Sequence, residues 1–290
     1  MKSAGVVCEL EYPDMTENRR IAALGSSFAA GPGIEPVDDP VAMRSARNYP
    51  HLFAQALGAD LVDLTVSGAS TATILDTPQL MMNGTQYPPQ IEGLPADADT
   101  VTVTAGGNDL HLAVSMLYAA WARHDPAGVV TQMLKPNFTK GIPEPTASDV
   151  DVVAAGLARI VAETRTRATG ARIILVDYLT MVTEDTTPGD GIPFSSEEIS
   201  AFLEIQSALA RAYQIAAERS GAELLAMSAV SRRHGLGSAD PWVFDFQPTI
   251  EKTACSFHPN ETGMYAVAGQ LLQILHEPAD AVDPCGKIGN

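Results

Sequence analysis

Five short apolar runs recur along the chain, and they limit its fold more than any other feature. Most of them are nearly continuous rather than alternating, which is typical of parallel strands covered by helices on both faces. Residues 20–25, 60–66, 100–105, 171–178 and 223–227 form these runs. The alternation of such strands with helical patterns predicts a three-layer α/β/α sandwich around a doubly wound, five-stranded parallel sheet.

Helical patterns separate the strands. Ser195-Ser196-Glu197-Glu198 is a capping box, which predicts a helix that begins there and ends near Gly221. Three further helices are expected over about 48–57, from Ser148 or Asp149 to near Gly170, and over about 261–275. No flexible linker divides the chain, so we expect residues 1–290 to form a single domain with its core at about 20–275.

Polar turns follow three of the predicted strands. The first strand ends in Gly25-Ser26-Ser27, the second in Ser67-Gly68 and the third in Gly106-Gly107-Asn108. Ligands of open parallel sheets bind outside the carboxyl ends of the strands. We therefore expect Ser27, Gly68 and Asn108 to lie close together at this edge of the sheet.

These residue types supply the parts that acyl transfer needs. Ser27 can act as the nucleophile, and His258, in a loop before the last helix, can remove its proton. The backbone N–H groups of Ser27 and Gly68 and the side-chain amide of Asn108 can stabilise the oxyanion. The residues thus predict a serine nucleophile with an oxyanion hole.

In these blocks the chain resembles the SGNH (GDSL-type) hydrolase family, from about residue 20 to residue 275. Phe28-Ala29-Ala30-Gly31-Pro32-Gly33 and His258-Pro259-Asn260 also resemble the family. The resemblance implies a flavodoxin-like SGNH hydrolase fold, in which Ser27 is the nucleophile and His258 the base. It further implies that Gly68 and Asn108 line the oxyanion hole.

Two positions depart from the family pattern. Ser26 replaces the aspartate of Gly-Asp-Ser, and Cys255 stands where Asp-x-x-His has its aspartate. At the second position three alternatives remain. The carbonyl of Cys255 accepts the imidazole N–H in a Ser-His dyad, Asp245 or Glu251 supplies a carboxylate, or activity is low or lost. We favour the dyad.

The function that we expect is hydrolysis of carboxylic esters through an acyl-Ser27 intermediate, as in an esterase or lipase. An acyltransferase would use the same residues, and a catalytically silent binding protein would retain the pocket without activity. Four long loops, residues 76–98, 125–147, 182–193 and 228–255, carry large apolar side chains. We expect them to form a pocket or lid for an acyl group, although their aromatic side chains could equally serve only as anchors.

Composition narrows the choice of partners. The formal net charge is −17, so the surface repels phosphate backbones and disfavours nucleic-acid binding. No apolar run is long enough to span a membrane, and nothing indicates a cofactor or metal. The partner that we expect is a small-molecule ester, while the sequence does not predict an oligomeric state.

The N-terminus and the cysteines bear on location. The first residues lack the apolar segment of a secretory signal, which favours a cytoplasmic protein, or a secreted one if a signal has been removed. The three cysteines are Cys8, Cys255 and Cys285. Free thiols are expected in a reducing compartment, with a Cys255–Cys285 bridge as the alternative.

Overall fold

The computed structural model describes residues 19–189 and 191–276. Nine strands lie within these residues: β1 Arg20–Gly25, β2 Val37–Asp39, β3 Arg44–Ser45, β4 Asp60–Asp63, β5 Gln79–Leu80, β6 Gln86–Tyr87, β7 Thr100–Thr104, β8 Arg172–Val176 and β9 Glu223–Leu225. The central sheet has the order β4-β1-β7-β8-β9, and all of its neighbouring strands are parallel. The predicted fold class is therefore confirmed.

Helices cover the sheet in two groups. The described residues form α1 Ser27–Ala30, α2 Tyr49–Leu57, α3 Thr71–Leu75, α4 Leu112–His124, α5 Val129–Leu134, α6 Ala147–Arg167, α7 Ser196–Ser220, α8 Met227–Val230 and α9 Glu261–His276. α2 packs against α9, while α6 packs against α7, with α3 and α4 beside these two. The apolar side chains of the sheet are buried between the groups.

The capping signals act much as the sequence predicts. Ser195 accepts a hydrogen bond from Glu198 N–H and begins α7, and Gly221 ends it in the left-handed conformation. The long helix α6 begins two or three residues earlier than expected, because Thr146 forms a capping box with Asp149. The prediction of Ser148 or Asp149 as the cap is therefore wrong.

The structure corrects two predicted segments, one strand and one loop. The strand predicted over 60–66 ends at Asp63, although Leu64 and Val66 still donate backbone hydrogen bonds to β1. The predicted loop 125–147 contains α5 and a short 3-10 turn, residues 135–138. These apolar residues form a second small core with Trp121 rather than an irregular loop.

Candidate active site

Ser27 lies where the sheet meets its first helix. β1 ends at Gly25, and Ser27 is the first residue of α1, so its backbone N–H has no acceptor within the helix. Ser27 is only 7 % exposed, and its Oγ lies 2.8 Å from Nε2 of His258. A serine hydroxyl and an imidazole are therefore in hydrogen-bond contact at the carboxyl edge of the sheet.

The neighbouring hydroxyl has a different partner. Ser26 is fully buried, and its Oγ lies 2.8 Å from the phenol oxygen of Tyr178. The same phenol oxygen accepts a hydrogen bond from the backbone N–H of Gly107. Ser26 thus joins two turns of the site instead of facing the imidazole. Ser27 is the serine in contact with His258.

His258 is held from both sides. Its Nδ1 lies 2.9 Å from the carbonyl oxygen of Ser256, so Nδ1–H donates to that oxygen and leaves Nε2 free to accept from Ser27. The loop backbone is fixed by paired hydrogen bonds, from Phe244 N–H to the His258 carbonyl and from Phe257 N–H to the Phe244 carbonyl. Phe257 has φ +63°, a left-handed conformation that aims the imidazole at the serine.

Partial burial favours the neutral form of this imidazole. Desolvation lowers the pKa of His258 to about 4, and the hydrogen bond to Ser256 offsets only part of that effect. No carboxylate opposes the desolvation, because none of the described residues places one against the ring. At neutral pH the ring is therefore a free base with an open lone pair at Nε2.

The structure corrects the expected role of Cys255. The carbonyl that accepts from the imidazole belongs to Ser256, whereas the Cys255 carbonyl accepts the backbone N–H of His258. The Cys255 thiol points elsewhere, with its Sγ 2.9 Å from the carbonyl oxygen of Lys252. Burial raises the pKa of that thiol. The sequence predicts a backbone carbonyl as the partner of the ring, but the carbonyl belongs to Ser256 and not to Cys255.

The two carboxylates considered as substitutes lie on the surface. Asp245 and Glu251 are both exposed, and neither forms a hydrogen bond or ion pair with His258. The alternative Cys255–Cys285 bridge stays a prediction, because Cys285, like Cys8, lies outside the described residues. What remains beside the ring is the Ser256 carbonyl.

Hydrogen bonds join the two turns that carry the predicted oxyanion residues Gly68 and Asn108. Asn108 donates one amide hydrogen to the Ala69 carbonyl at 2.8 Å, which leaves its second hydrogen available for a ligand. Asp109, beside it, accepts hydrogen bonds from the backbone and hydroxyl of Thr71 and so holds the same two turns together. Gly68 has φ +85°, which its missing Cβ makes accessible.

Three residues support these turns without any signal in the sequence pattern. Tyr178 connects Ser26 to Gly107, as described above. Gln90, 5 % exposed, donates to the Gly25 carbonyl and accepts from the Gly25 N–H. Gln79 donates to the Ser67 carbonyl at 2.8 Å. Tyr178 lies two residues after the end of β8, outside the predicted turns, and no local pattern marks the two glutamines.

A cleft of about 380 Å³ lies near the site, and Cys255 is the one candidate site residue in its lining. It runs between residues 31–45, which follow the helix of Ser27, and residues 244–255, which precede His258. Phe244 lines it, whereas Trp121 and Phe138 are buried in the second small core. The aromatic residues of the long loops therefore divide between a cleft wall and structural anchors.

The described residues provide neither a metal site nor a membrane-spanning helix. Within residues 19–189 and 191–276, no cluster of three or more His, Cys, Asp or Glu side chains could hold a metal ion. No helix in this part of the chain is long and apolar enough to cross a membrane.

Known proteins resemble this chain over most of its length. The family described as "GDSL-like Lipase/Acylhydrolase family" matches residues 23–266. "Lipase 2" of Streptomyces coelicolor is 31% identical over 268 residues, covering 87% of this chain and 84% of that protein.

Solved structures share the fold. A phospholipase A1 from Streptomyces albidoflavus has a TM-score of 0.67 at 21% identity and covers 89% of this chain and 98% of its own. An extracellular lipase from Streptomyces rimosus has a TM-score of 0.63 at 20% identity, covering 88% and 99%. Together with the family match, which confirms the resemblance noted in the sequence, these findings make the chain an ester-bond hydrolase that belongs to the GDSL-like lipase/acylhydrolase family.

Proposed function

We propose that the protein hydrolyses carboxylic esters through an acyl-Ser27 intermediate, with His258 as general base. The observation that carries this proposal is the 2.8 Å contact between Ser27 Oγ and His258 Nε2. The site lies at the carboxyl edge of the sheet, where open α/β folds bind ligands. The family of the chain supplies the reaction class.

In the first half-reaction, Ser27 Oγ attacks the ester carbonyl carbon while Nε2 of His258 takes the hydroxyl proton. The resulting imidazolium returns this proton to the departing alcohol, and the C–O bond of the ester breaks. Water then repeats the sequence on the acyl-enzyme: it gives a proton to His258, and the acid leaves as the proton returns to Ser27. No redox partner or cofactor takes part in these steps.

The tetrahedral intermediates need donors for their negative oxygen. The Ser27 and Gly68 backbone N–H groups and the second amide hydrogen of Asn108 are suited to this role. The hydrogen bond from Asn108 to Ala69 fixes the amide plane before substrate arrives. Such preorganisation costs no rearrangement during the reaction.

We assign the orienting role of the missing triad aspartate to the Ser256 carbonyl. A carbonyl accepts the Nδ1–H and selects the tautomer with a free Nε2, as a carboxylate would. It carries no full charge, so it stabilises the imidazolium less. The catalytic unit is thus a Ser-His dyad.

The substrate that fits is a small-molecule ester with an apolar acyl or alcohol part, bound in the cleft beside Phe244. The lining of this cleft is mixed, with apolar Val37 and Met43 beside charged Arg44 and Lys252. The curated relative is named a lipase, and one structural relative a phospholipase. Their names agree with an apolar acyl group. No observation favours the acyltransferase or silent-protein alternatives.

The cellular location stays a separate prediction. The prediction of a cytoplasmic location depends on the first residues, which lie outside the described part of the chain. One structural relative is described as extracellular, and its name favours secretion instead.

Turnover of p-nitrophenyl esters, from acetate to long acyl chains, tests the proposed function. We expect hydrolysis by the wild type and a loss of at least about 10³-fold in Ser27→Ala, because the dyad acts as a unit. Ser26→Ala is the comparison variant: it removes the hydrogen bond to Tyr178 but not the contact with His258, so it should lose far less activity than Ser27→Ala. Equal rates in the wild type and Ser27→Ala would contradict the proposal. Acyl transfer to added alcohol in place of hydrolysis would favour the acyltransferase.

A further inference from the structure

The turn that carries Gly68 can present its central peptide in two orientations. Ala69 N–H donates to the Val66 carbonyl at 3.1 Å, and Gly68 at φ +85° is characteristic of a type II turn. Types I and II differ mainly by a flip of the peptide between the two central residues, here Ser67 and Gly68. The entry and exit of the turn barely change in such a flip.

This peptide is part of the oxyanion hole. In a planar trans peptide the Ser67 carbonyl and the Gly68 N–H point in opposite directions. A flip would turn the Gly68 N–H away from the developing oxyanion and bring the Ser67 carbonyl oxygen towards it. Donor and acceptor would exchange places, so one orientation aids the reaction and the other opposes it.

One side chain holds the Ser67 carbonyl. Nε2 of Gln79, a residue 9 % exposed, donates to the Ser67 carbonyl at 2.8 Å. A Cβ on Gly68 would lie 3.3 Å from this nitrogen, so the amide packs directly on the turn. Among the described residues, none accepts a hydrogen bond from the Gly68 N–H. The peptide is therefore anchored at its carbonyl end and open at its N–H end.

Gln79 itself is held by a small hairpin. It pairs with Tyr87 across β5 and β6, and the Tyr87 hydroxyl donates to Asp39 at 2.8 Å. Ser67 N–H donates to the Ala42 carbonyl, so the turn and the hairpin share a support in the segment 39–42. The amide of Gln79 thus comes from a fixed backbone rather than from a free loop.

We propose that Gln79 is a positioning residue that locks the Ser67–Gly68 peptide in the orientation that aims the Gly68 N–H at the oxyanion. The inference rests on the proposed function, because it assumes that Gly68 is an oxyanion donor. Gln79 acts through the peptide and has no contact with the reacting atoms. Its effect should appear in transition-state binding and leave substrate binding nearly unchanged.

Two substitutions separate this role from general support of the fold. Gln79→Met keeps the length of the side chain and removes the donor. Gln79→Glu keeps its shape, but an ionised carboxylate repels the Ser67 carbonyl, whereas a protonated carboxyl can donate to it. Gln86→Met is the matched control, because Gln86 is an exposed glutamine on the same hairpin.

Four quantities are measured for each variant: kcat and KM on a p-nitrophenyl ester, the inhibition constant of butylboronic acid, and the active-site titre. For Gln79→Met we expect kcat to fall by about 10- to 100-fold, below the full loss of an oxyanion donor, with KM within about twofold. Boronate affinity should fall in parallel, because its tetrahedral adduct places an oxygen in the same hole. Gln79→Glu should regain activity, relative to wild type, as the pH falls from 8 to about 5.

Wild-type kcat and boronate affinity per titrated site in Gln79→Met would overturn the inference, and so would an effect of the same size in Gln86→Met. A loss of titre alone would also overturn it, since that would indicate impaired folding. Failure of the proposed function is distinguishable, because the wild type would then show no Ser27-dependent turnover.

Discussion

At the scale of single residues, the proposed mechanism depends on the protonation state of His258. Its ring accepts from Ser27 and donates to Ser256, and only the neutral form can do both. Desolvation favours that form by lowering the pKa to about 4. The same burial that positions the base therefore also widens the pH range in which it is available.

This burial predicts an acid-tolerant reaction. kcat/KM should stay level from neutral pH to about pH 5 and decline as the pH falls through about 4, where His258 takes up a proton. An inflection near 6.5, the ordinary value for histidine, would contradict the assignment.

The free energy of unfolding should also fall as the pH is lowered. The unfolded chain binds a proton at the ordinary pKa of 6.5, whereas the folded protein binds it at about 4. Between these values the unfolded state holds more protons, so this group makes the free energy of unfolding fall as the pH is lowered. Comparison of wild type with His258→Asn by urea unfolding isolates its contribution.

Cys255 offers a test of the dyad. Cys255→Asp restores the Asp-x-x-His spacing, yet the thiol it replaces faces the Lys252 carbonyl and not the imidazole. We expect no gain in kcat and a loss of about 1–3 kcal/mol in the free energy of unfolding, because a buried carboxylate would face a carbonyl oxygen. Cys255→Ser should remain close to wild type. A faster Cys255→Asp enzyme would show that the aspartate replaces Ser256 as the partner of His258.

At the scale of elements, the segment 76–98 supports the two strand ends that carry the site. Gln79 binds the turn after β4, and Gln90 binds Gly25 at the end of β1. This segment, which the sequence predicts to form part of a pocket or lid, thus also supports the ends of β1 and β4. Its pocket role stays a prediction.

Gln90 should therefore matter for stability. Gln90→Leu leaves the buried Gly25 N–H without its acceptor, while the Gly25 carbonyl keeps its hydrogen bond from Val66. We expect the free energy of unfolding to fall by about 1–3 kcal/mol. Urea unfolding measures this, with exposed Gln86→Leu as the control; equal midpoints for the two variants would contradict the assignment.

The sequence predicts the elements whose signals are local. The five strands of the central sheet and the capping box at Ser195 follow from periodicity and turn chemistry, although the edge strands β4 and β9 are less buried than predicted. The bond from His258 to Ser256 could not be predicted in detail, because it depends on the left-handed Phe257. The glutamine contacts join residues 12 and 65 positions apart, and no local pattern encodes them.

At the scale of the whole molecule, the sheet order places β1 between β4 and β7. The turns after these three strands carry Ser27, Gly68 and Asn108, which is why residues spread over 80 positions form one site. The formal charge of −17 acts over a longer range and disfavours anionic substrates at low ionic strength. A neutral ester avoids this repulsion.

The proposed mechanism depends above all on which serine is the nucleophile. Reaction with a fluorophosphonate, followed by digestion and mass spectrometry, identifies the serine that forms the adduct. We expect a single adduct on Ser27, absent in Ser27→Ala and formed much more slowly in His258→Ala. An adduct on Ser26, or none on a folded and catalytically active protein, would contradict the account.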